Sequence, residues 1–156
     1  MTMANRVRDV LTRNHTHYTL IPHPHTGSSA ETAAAAHVPS DHIAKGVVLK
    51  DEDGYVLAVI PADRWLDLPR VRMELSRDLA LAAEKEIEFV FDDCEPGAVP
   101  PFGPAYGVDT VLDEDLTTLA EVYAEAGDHE NLIAVDGAQF QALLPGVRHG
   151  HFSEVH

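Results

Sequence analysis

The sequence predicts an α+β fold with a central, mixed and partly closed β-sheet and flanking helices. Helical and strand patterns follow one another in the order helix, strand, helix, hairpin, helix, strands, helix. This order lacks the regular alternation of a doubly wound parallel sheet. The chain has 156 residues, 45% of them hydrophobic, which suits one compact core. We therefore expect a single domain over residues 1–145 and a flexible tail over residues 146–156.

The first part of the chain predicts two helices and a strand between them. Apolar residues at helical spacing indicate a helix over about residues 3–14. Residues 17–23 alternate, are rich in β-forming side chains and end in prolines, which favours an edge strand. Ser28 and Glu31 have the spacing of a capping box, so we expect a short alanine-rich helix over residues 30–37.

The middle of the chain predicts a hairpin, a helix and a strand. Residues 47–49 and 55–60 are strand-like and flank the turn 51–54, whose Asp-Gly pair supplies the positive φ angles that hairpins favour. Apolar residues then recur at helical spacing over about 69–84. The alternation in residues 86–91 predicts a strand.

The last part of the chain predicts two strands, one ambiguous segment and a helix. Residues 108–112 and 132–135 are typical of strands, whereas residues 116–126 fit a helix and a strand equally well. Asp136 and Gln139 have the spacing of a second capping box, which predicts a final helix.

Composition excludes several classes of function. The formal charge of −15 argues against broad nonspecific binding of nucleic acid, because phosphate contacts need Lys and Arg. No segment has the roughly 18 apolar residues of a membrane span, and the start lacks the layout of a secretory signal. Cys94 is the one cysteine and cannot form an internal disulfide. We expect a cytoplasmic protein that binds neither membrane nor DNA.

Local cation clusters are compatible both with a nucleic-acid end and with helix arginines paired to nearby acids. They comprise Arg6, Arg8, Arg13, Lys45, Lys50, Arg64, Arg70, Arg72 and Arg77. The histidines near residues 15–25 and 149–156 do not make a convincing metal site, since sequence shows no third ligand with second-shell support. The chain also lacks a Gly-X-Ser-X-Gly elbow, a Walker loop and paired-cysteine zinc motifs.

Two distant segments give the main functional signal. Lys45, one of only three lysines, lies where residues 42–50 enter the predicted hairpin. Residues 97–103 form a loop whose glycines let backbone amides approach a ligand and whose prolines hold its shape. A cation that faces such a loop suits an anionic or carbonyl substrate. Either feature alone is more typical of an ordinary structural role.

Five segments together follow one family pattern: residues 43–49, 59–68, 97–103, 111–113 and 126–127. Their order and spacing resemble the YbaK/ProX family of aminoacyl-tRNA editing proteins, and the likeness runs from about residue 15 to 144. That family includes free-standing deacylases and the editing domain inserted in bacterial prolyl-tRNA synthetase. The length here resembles a free-standing member. The resemblance implies a barrel-like mixed sheet with flanking helices, in which residues 121–126 form a strand.

The resemblance also implies a site. In the family, the lysine and a Gly-X-X-X-Pro loop line a small pocket for the aminoacyl ester on the terminal adenosine of a tRNA. The implied catalytic residues here are Lys45, Gly97 and Ala98: the ammonium holds the terminal phosphate or stabilises an oxyanion, and the two amides fix the aminoacyl carbonyl. Further residues expected at the substrate are Tyr18, Gly46, Pro100, Pro101, Phe102 and His129.

The implied activity is hydrolysis, in trans, of a mischarged tRNA that carries a small amino acid, with no metal or organic cofactor. The implied partners are the 3′ acceptor end of that tRNA and an aminoacyl-tRNA synthetase. Gly46 departs from the family pattern, which has Asn in members resembling alanyl-tRNA(Pro) deacylases and often Thr in cysteinyl-tRNA(Pro) ones. Neither specificity transfers, and we expect alanine or serine. A non-catalytic module that binds a tRNA end, nucleotide or protein, and a hydrolase for a non-tRNA ester, are the alternatives.

Overall fold

The computed structural model describes residues 2–155, which form five α-helices and ten β-strands. The helices are α1 (Asn5–Arg13), α2 (Ser29–Ala36), α3 (Leu68–Leu75), α4 (Glu84–Val90) and α5 (Gly137–Ala142). The strands are β1 (Thr19–Pro22), β2 (Ile43–Asp51), β3 (Gly54–Pro61), β4 (Arg64–Leu66), β5 (Ala80–Leu81), β6 (Asp109–Asp113), β7 (Glu121–Glu125), β8 (Asn131–Asp136), β9 (Arg148–Gly150) and β10 (Ser153–Val155). Within residues 2–155, every helix is too short or too polar to cross a membrane.

One mixed sheet organises the molecule. Its strand order is β1-β8-β7-β2-β3-β6-β9, and β5 adds to β2. The pairs β2–β7, β3–β6 and β6–β9 are parallel, whereas β1–β8, β7–β8, β2–β3 and β2–β5 are antiparallel. Strands β4 and β10 form a separate antiparallel pair. The predicted α+β class, with a mixed sheet and flanking helices, is confirmed.

The central hairpin of β2 and β3 lies between the two larger clusters of the core. Because strand side chains alternate, Leu57 and Val59 pack on one face with α1, α5 and the loop after α4. Val56, Ala58 and Ile60 face the other side, where they meet α3 and the C-terminal segment. All five side chains are fully buried. Burial on both faces explains why β3 is a continuous apolar run in the sequence.

Most predicted elements are present, and the details of their ends differ. Helix α1, edge strand β1, the hairpin, β6, β8 and α5 lie where the sequence predicted them, and the ambiguous segment forms strand β7. In each predicted capping box, only one of the two expected hydrogen bonds forms, the one from the N3 amide to the capping side chain. Ser28 Oγ accepts from the Glu31 amide at 3.2 Å, but the Glu31 carboxylate accepts from Gly27. In the hairpin turn, Gly54 has a φ of +129° and Asp53 keeps a negative φ.

The helix predicted to continue to residue 84 ends at Leu75. Ser76 adopts the left-handed conformation with a φ of 53°, which terminates the helix. Arg77 then donates two hydrogen bonds to the Asp51 carboxylate, at 2.8 and 2.6 Å. This long-range ion pair fixes the chain direction after the helix, and the periodicity of the segment gives no sign of it.

The strand predicted over residues 86–91 is wrong, because this segment belongs to helix α4. Ile87 and Phe91 pack against the core at helical spacing, whereas Phe89 is 80% exposed. Alternating apolar residues suggested a strand, yet one of the three faces solvent. The Glu86 side chain accepts a hydrogen bond from the amide that precedes the helix, which stabilises its first turn.

The flexible tail predicted from residue 146 is also wrong for residues 146–155. Strand β9 pairs with β6, and β10 pairs with β4. Phe152 is 1% exposed and belongs to the second core cluster. The buried Asp113 carboxylate accepts from the Phe152 amide at 3.0 Å and from the Ser153 hydroxyl at 2.8 Å. The C-terminal segment is therefore an integral part of the fold, and His156 lies outside the described residues.

Candidate functional site

A cavity of about 200 Å³ opens where the parallel strands β2 and β7 separate. Their last paired residues are Ala44 and Ala124. Lys45 and Glu125 follow next in register, and both line the cavity. The remaining lining residues are Gly27, Ser28, Ser29, Thr32, Ile43, Ala44, Gly46, Gly97, Val99, His129 and Leu132. The structure thus places Lys45 and the start of the Gly/Pro loop at one cavity.

Lys45 lies in the wall of the cavity, and its ammonium group does not use all of its hydrogen-bond donors. Its Nζ donates to the carbonyl oxygen of Arg64 at 3.2 Å. Burial lowers the pKa of Lys45 from its ordinary value, and the negative charge of Asp63 opposes that shift. Asp63 Oδ1 is buried and accepts no hydrogen bond from the described residues. Because an ammonium has three donors, Lys45 retains the capacity to bind a further acceptor.

The Gly/Pro loop contributes a different pair of residues from the predicted one. Gly97 lines the cavity with a φ of +82°, a conformation that favours glycine. Ala98 is 1% exposed, and its amide already donates to the Glu95 carbonyl at 3.0 Å. Val99 lines the cavity in its place. The positive φ at Gly97 turns the chain so that the following amide points back into the loop.

Four other residues predicted at the substrate lie outside the set that lines the cavity. Pro100, Pro101 and Phe102 are buried, and the Phe102 ring lies 6.1 Å from that of Phe140 in the core. These three residues are the buried part of the loop and attach it to the core. Tyr18 precedes β1 and is 38% exposed. The structure therefore brings Lys45, Gly46, Gly97 and His129 together and leaves Ala98, Tyr18 and these three loop residues apart from them.

His129 reaches the cavity from the turn between β7 and β8. Its Nε2 lies 2.7 Å from the Pro96 carbonyl oxygen, directly before Gly97. Since a carbonyl only accepts, Nε2 carries the proton in this contact, and Nδ1 of the neutral ring is an acceptor. The His25 ring lies 5.1 Å away in an edge-to-face arrangement. The contact with Pro96 links the histidine to the loop.

Glu125 is a lining residue that the sequence did not single out. Its Oε1 accepts hydrogen bonds from the amides of Gly127, Asp128 and His129, at 3.0, 3.2 and 3.1 Å. These bonds hold the turn that carries His129. The family pattern at residues 126–127 pointed to this turn, but no motif marked the glutamate. Its position depends on the register between two strands that are 80 residues apart in the chain.

Gly46 is closely packed beside the lysine. A Cβ atom there would lie 3.0 Å from Leu57 Cδ1 and 3.3 Å from Val99 Cγ1. Both side chains would have to shift, and Val99 lines the cavity. An Asn or Thr at this position would therefore change the shape of the cavity wall formed by Val99.

Two other groups of reactive side chains are occupied by structural contacts. Asp113, Asp115 and His151 bring ligand atoms within 4.8 Å of one another, but Asp113 accepts three hydrogen bonds and Asp115 pairs with Arg64. Burial raises the pKa of Cys94 to about 12. A thiol with such a pKa is a poor nucleophile near neutral pH.

Comparisons with known proteins agree with this fold. The family model described as the aminoacyl-tRNA editing domain matches residues 23–143. A solved structure titled as that of "a putative trans-editing enzyme for prolyl tRNA synthetase" has a TM-score of 0.82 and 27% identity, covering 96% of this chain and 95% of that one. A scaffold protein from work on epitope backbone grafting has a TM-score of 0.82 and 26% identity, with 97% of each chain covered.

A third structure, of "hypothetical protein APE2540", shares the fold with a TM-score of 0.84 at 23% identity, covering 96% of this chain and 100% of that one. No curated protein sequence is significantly similar to the chain. The family match covers well over half of the sequence. The chain therefore belongs to the aminoacyl-tRNA editing domain family.

Proposed function

We propose that this protein is an aminoacyl-tRNA deacylase that acts in trans on a mischarged tRNA carrying a small amino acid. The observation that carries the proposal is that Lys45 and the Gly97 loop line one cavity. A cation and rigid main-chain donors at one place suit an ester whose carbonyl oxygen gains negative charge during hydrolysis. Membership of the editing family supports the same class of substrate.

The size of the cavity supports a small aminoacyl group. Its volume of about 200 Å³ lies below the roughly 300–1,000 Å³ of pockets for drug-sized ligands. Ile43 and Leu132 offer apolar contacts for a short side chain. One methylene group changes binding in such a pocket by only about 1–3 kcal/mol. Alanine and serine are therefore the amino acids that we propose first.

In the proposed reaction, water adds to the ester carbonyl carbon and the bond to the ribose oxygen breaks. The ribose oxygen takes a proton, which frees the amino acid and a tRNA with an intact terminal hydroxyl. Positioning and polarisation supply much of the acceleration for such a step. The Lys45 ammonium stabilises the developing oxyanion or holds the terminal phosphate. Every step is assigned to protein groups and water.

The loop amides and His129 complete the proposed machinery. Among the described residues, the amides of Gly97 and Val99 donate to no acceptor, so they are free main-chain donors in residues that line the cavity. They replace the predicted pair of Gly97 and Ala98. The Nδ1 atom of His129 is an acceptor that suits the attacking water or a ribose hydroxyl.

The surface supports local recognition of the tRNA end. Several predicted cations are paired with carboxylates and are less able to bind phosphate: Arg6 with Asp92, Lys50 with Glu86, Arg64 with Asp115, and Arg77 with Asp51. With a formal charge of −15, a long electrostatic interface with tRNA is disfavoured. A synthetase that holds the tRNA body would supply the missing contacts. We place this reaction in the cytoplasm, where tRNAs are charged.

The test is a deacylation assay of the purified protein against a panel of mischarged tRNAs. We expect hydrolysis of alanyl or seryl esters, and Lys45→Ala should lower the rate by roughly 10²- to 10³-fold, as loss of one oxyanion donor does. Lys85→Ala is the matched control, because Lys85 is an exposed lysine on α4. No hydrolysis of any species, or full activity of Lys45→Ala, would contradict the proposal. Binding of intact aminoacyl-tRNA without turnover would select a non-catalytic module instead.

A further inference from the structure

Glu125 lines the cavity with its side chain held by hydrogen bonds, and it has no role in the reaction proposed above. Three backbone amides bind its Oε1 and fix the direction of the side chain. Within residues 2–155, Oε2 accepts no hydrogen bond, and the carboxylate forms no ion pair. A carboxylate offers about four acceptor positions on its two oxygens. A held carboxylate with one unused oxygen at a cavity is suited to bind a donor, above all a cation.

The register of the sheet places Glu125 next to Lys45 on the neighbouring strand. Ala44 and Ala124 are the last pair between β2 and β7, so Lys45 and Glu125 are the next residues on the two strands. Side chains of opposite charge at such positions would be expected to pair. Within the described chain they do not: Lys45 donates to the Arg64 carbonyl and Glu125 accepts from its own turn. The cavity opens where these opposite charges are held apart.

An aminoacyl ester carries matching charges. Its α-ammonium group is attached to the carbon next to the carbonyl, whose oxygen becomes negative during hydrolysis. Resting on the proposed function, we propose that Glu125 binds the α-ammonium group of the substrate and that this site selects esters with a free α-amino group. Peptidyl-tRNA and N-acylated aminoacyl-tRNA lack that charge, and their acyl group would meet the carboxylate. Glu125 is thus a specificity-determining residue for the N-terminal side of the ester.

The variant that separates this role from support of the turn is Glu125→Gln. Glutamine keeps an oxygen in the place of Oε1, so the three amides retain their acceptor. It replaces the unused oxygen with an NH₂ group, which repels an ammonium donor and has no charge. Glu121→Gln is the matched control, because Glu121 lies on the same strand, is exposed and does not line the cavity.

The experiment compares alanyl-tRNA with N-acetyl-alanyl-tRNA in the deacylation assay. We expect the wild-type protein and Glu121→Gln to prefer the free amine by about 10- to 100-fold in kcat/KM, the size of a hydrogen bond to a charged group. Glu125→Gln should lose most of this preference, because its kcat/KM for alanyl-tRNA falls toward its kcat/KM for the N-acetyl ester. An equal preference in wild type and Glu125→Gln overturns the inference and leaves the deacylase proposal intact.

A binding measurement decides the inference if no tRNA is hydrolysed. The probes are 3′-alanylamino-3′-deoxyadenosine and its N-acetyl derivative, whose amide bond resists hydrolysis, studied by calorimetry. Tighter binding of the free amine by wild type, with the difference lost in Glu125→Gln, supports the inference even if catalysis fails. Equal affinity for the two probes, or no binding of either, overturns it.

Discussion

The cavity differs from the C-terminal anchor, the region where Asp113 binds Phe152 and Ser153, in how its buried charged groups are paired. In the anchor, Asp113 is buried and each of its oxygens accepts a hydrogen bond, from Asp115, Phe152 and Ser153. At the cavity, Lys45 makes one of its three possible hydrogen bonds. The nearby Asp63, whose charge acts on Lys45, has an Oδ1 atom with no hydrogen-bond partner among the described residues. Buried polar groups are normally paired. The anchor follows this rule for stability, whereas the cavity departs from it, as binding sites do.

The largest expected effect comes from breaking the satisfied region. Asp113→Ala leaves the Phe152 amide without its acceptor in a buried place and should lower the free energy of unfolding by about 2–4 kcal/mol. Lys45→Met should change stability by less than about 1 kcal/mol, because burial already disfavours the charged lysine. Urea unfolding of both variants measures the contrast. A larger loss for Lys45→Met than for Asp113→Ala would reverse the assignment of the two regions.

A second contrast is the response to acid. Hydrogen bonds from Arg77 lower the pKa of Asp51 from 3.8 to about 2. A carboxyl group whose pKa is lower in the folded state stabilises the fold above its ordinary pKa and loses this effect as the pH falls from about 4 to 2. Arg77→Met removes that contribution. The stability difference between wild type and Arg77→Met, measured by thermal unfolding, should therefore shrink across this window, and a constant difference would contradict the pairing.

The smallest effect is a difference in titration between Lys45 and Lys50. Burial lowers the pKa of Lys45, whereas the hydrogen bond to Glu86 raises the pKa of Lys50. In an NMR titration of the lysine side chains, Lys45 should lose its proton at a lower pH than Lys50. The opposite order would mean that Lys45 lies in a more solvated position than the structure shows.

Local patterns predicted much of the fold. The hairpin follows from apolar β-forming runs around an Asp-Gly turn, and α1 from regular helical spacing, since both patterns record burial on defined faces. The errors have long-range causes. Residues 146–155 are polar in composition, yet the contact between Asp113 and the Phe152 amide holds them in the fold. Helix α4 was mistaken for a strand because its exposed Phe89 imitates alternation.

Family resemblance predicted that Lys45 and Gly97 belong to the candidate site, but it did not predict which other residues line the cavity. The lysine and Gly97 were identified from motif order, and the structure places both at one cavity. Ala98 does not line the cavity, because the positive φ of Gly97 turns the chain so that the next amide donates to Glu95 within the loop. Glu125 was missed because its position depends on pairing between distant strands, which no local motif records.

The most direct test of the proposed site is an amide chemical-shift map of the protein titrated with 3′-alanylamino-3′-deoxyadenosine. The account predicts the largest shifts at Lys45, Gly97, Val99 and His129, which surround the cavity. It also predicts small shifts at the separate groove on α1 that Arg6 and Arg8 line. Shifts concentrated in the α1 groove, with the amides around Lys45 and Gly97 unchanged, would contradict the assignment of the cavity as the aminoacyl site.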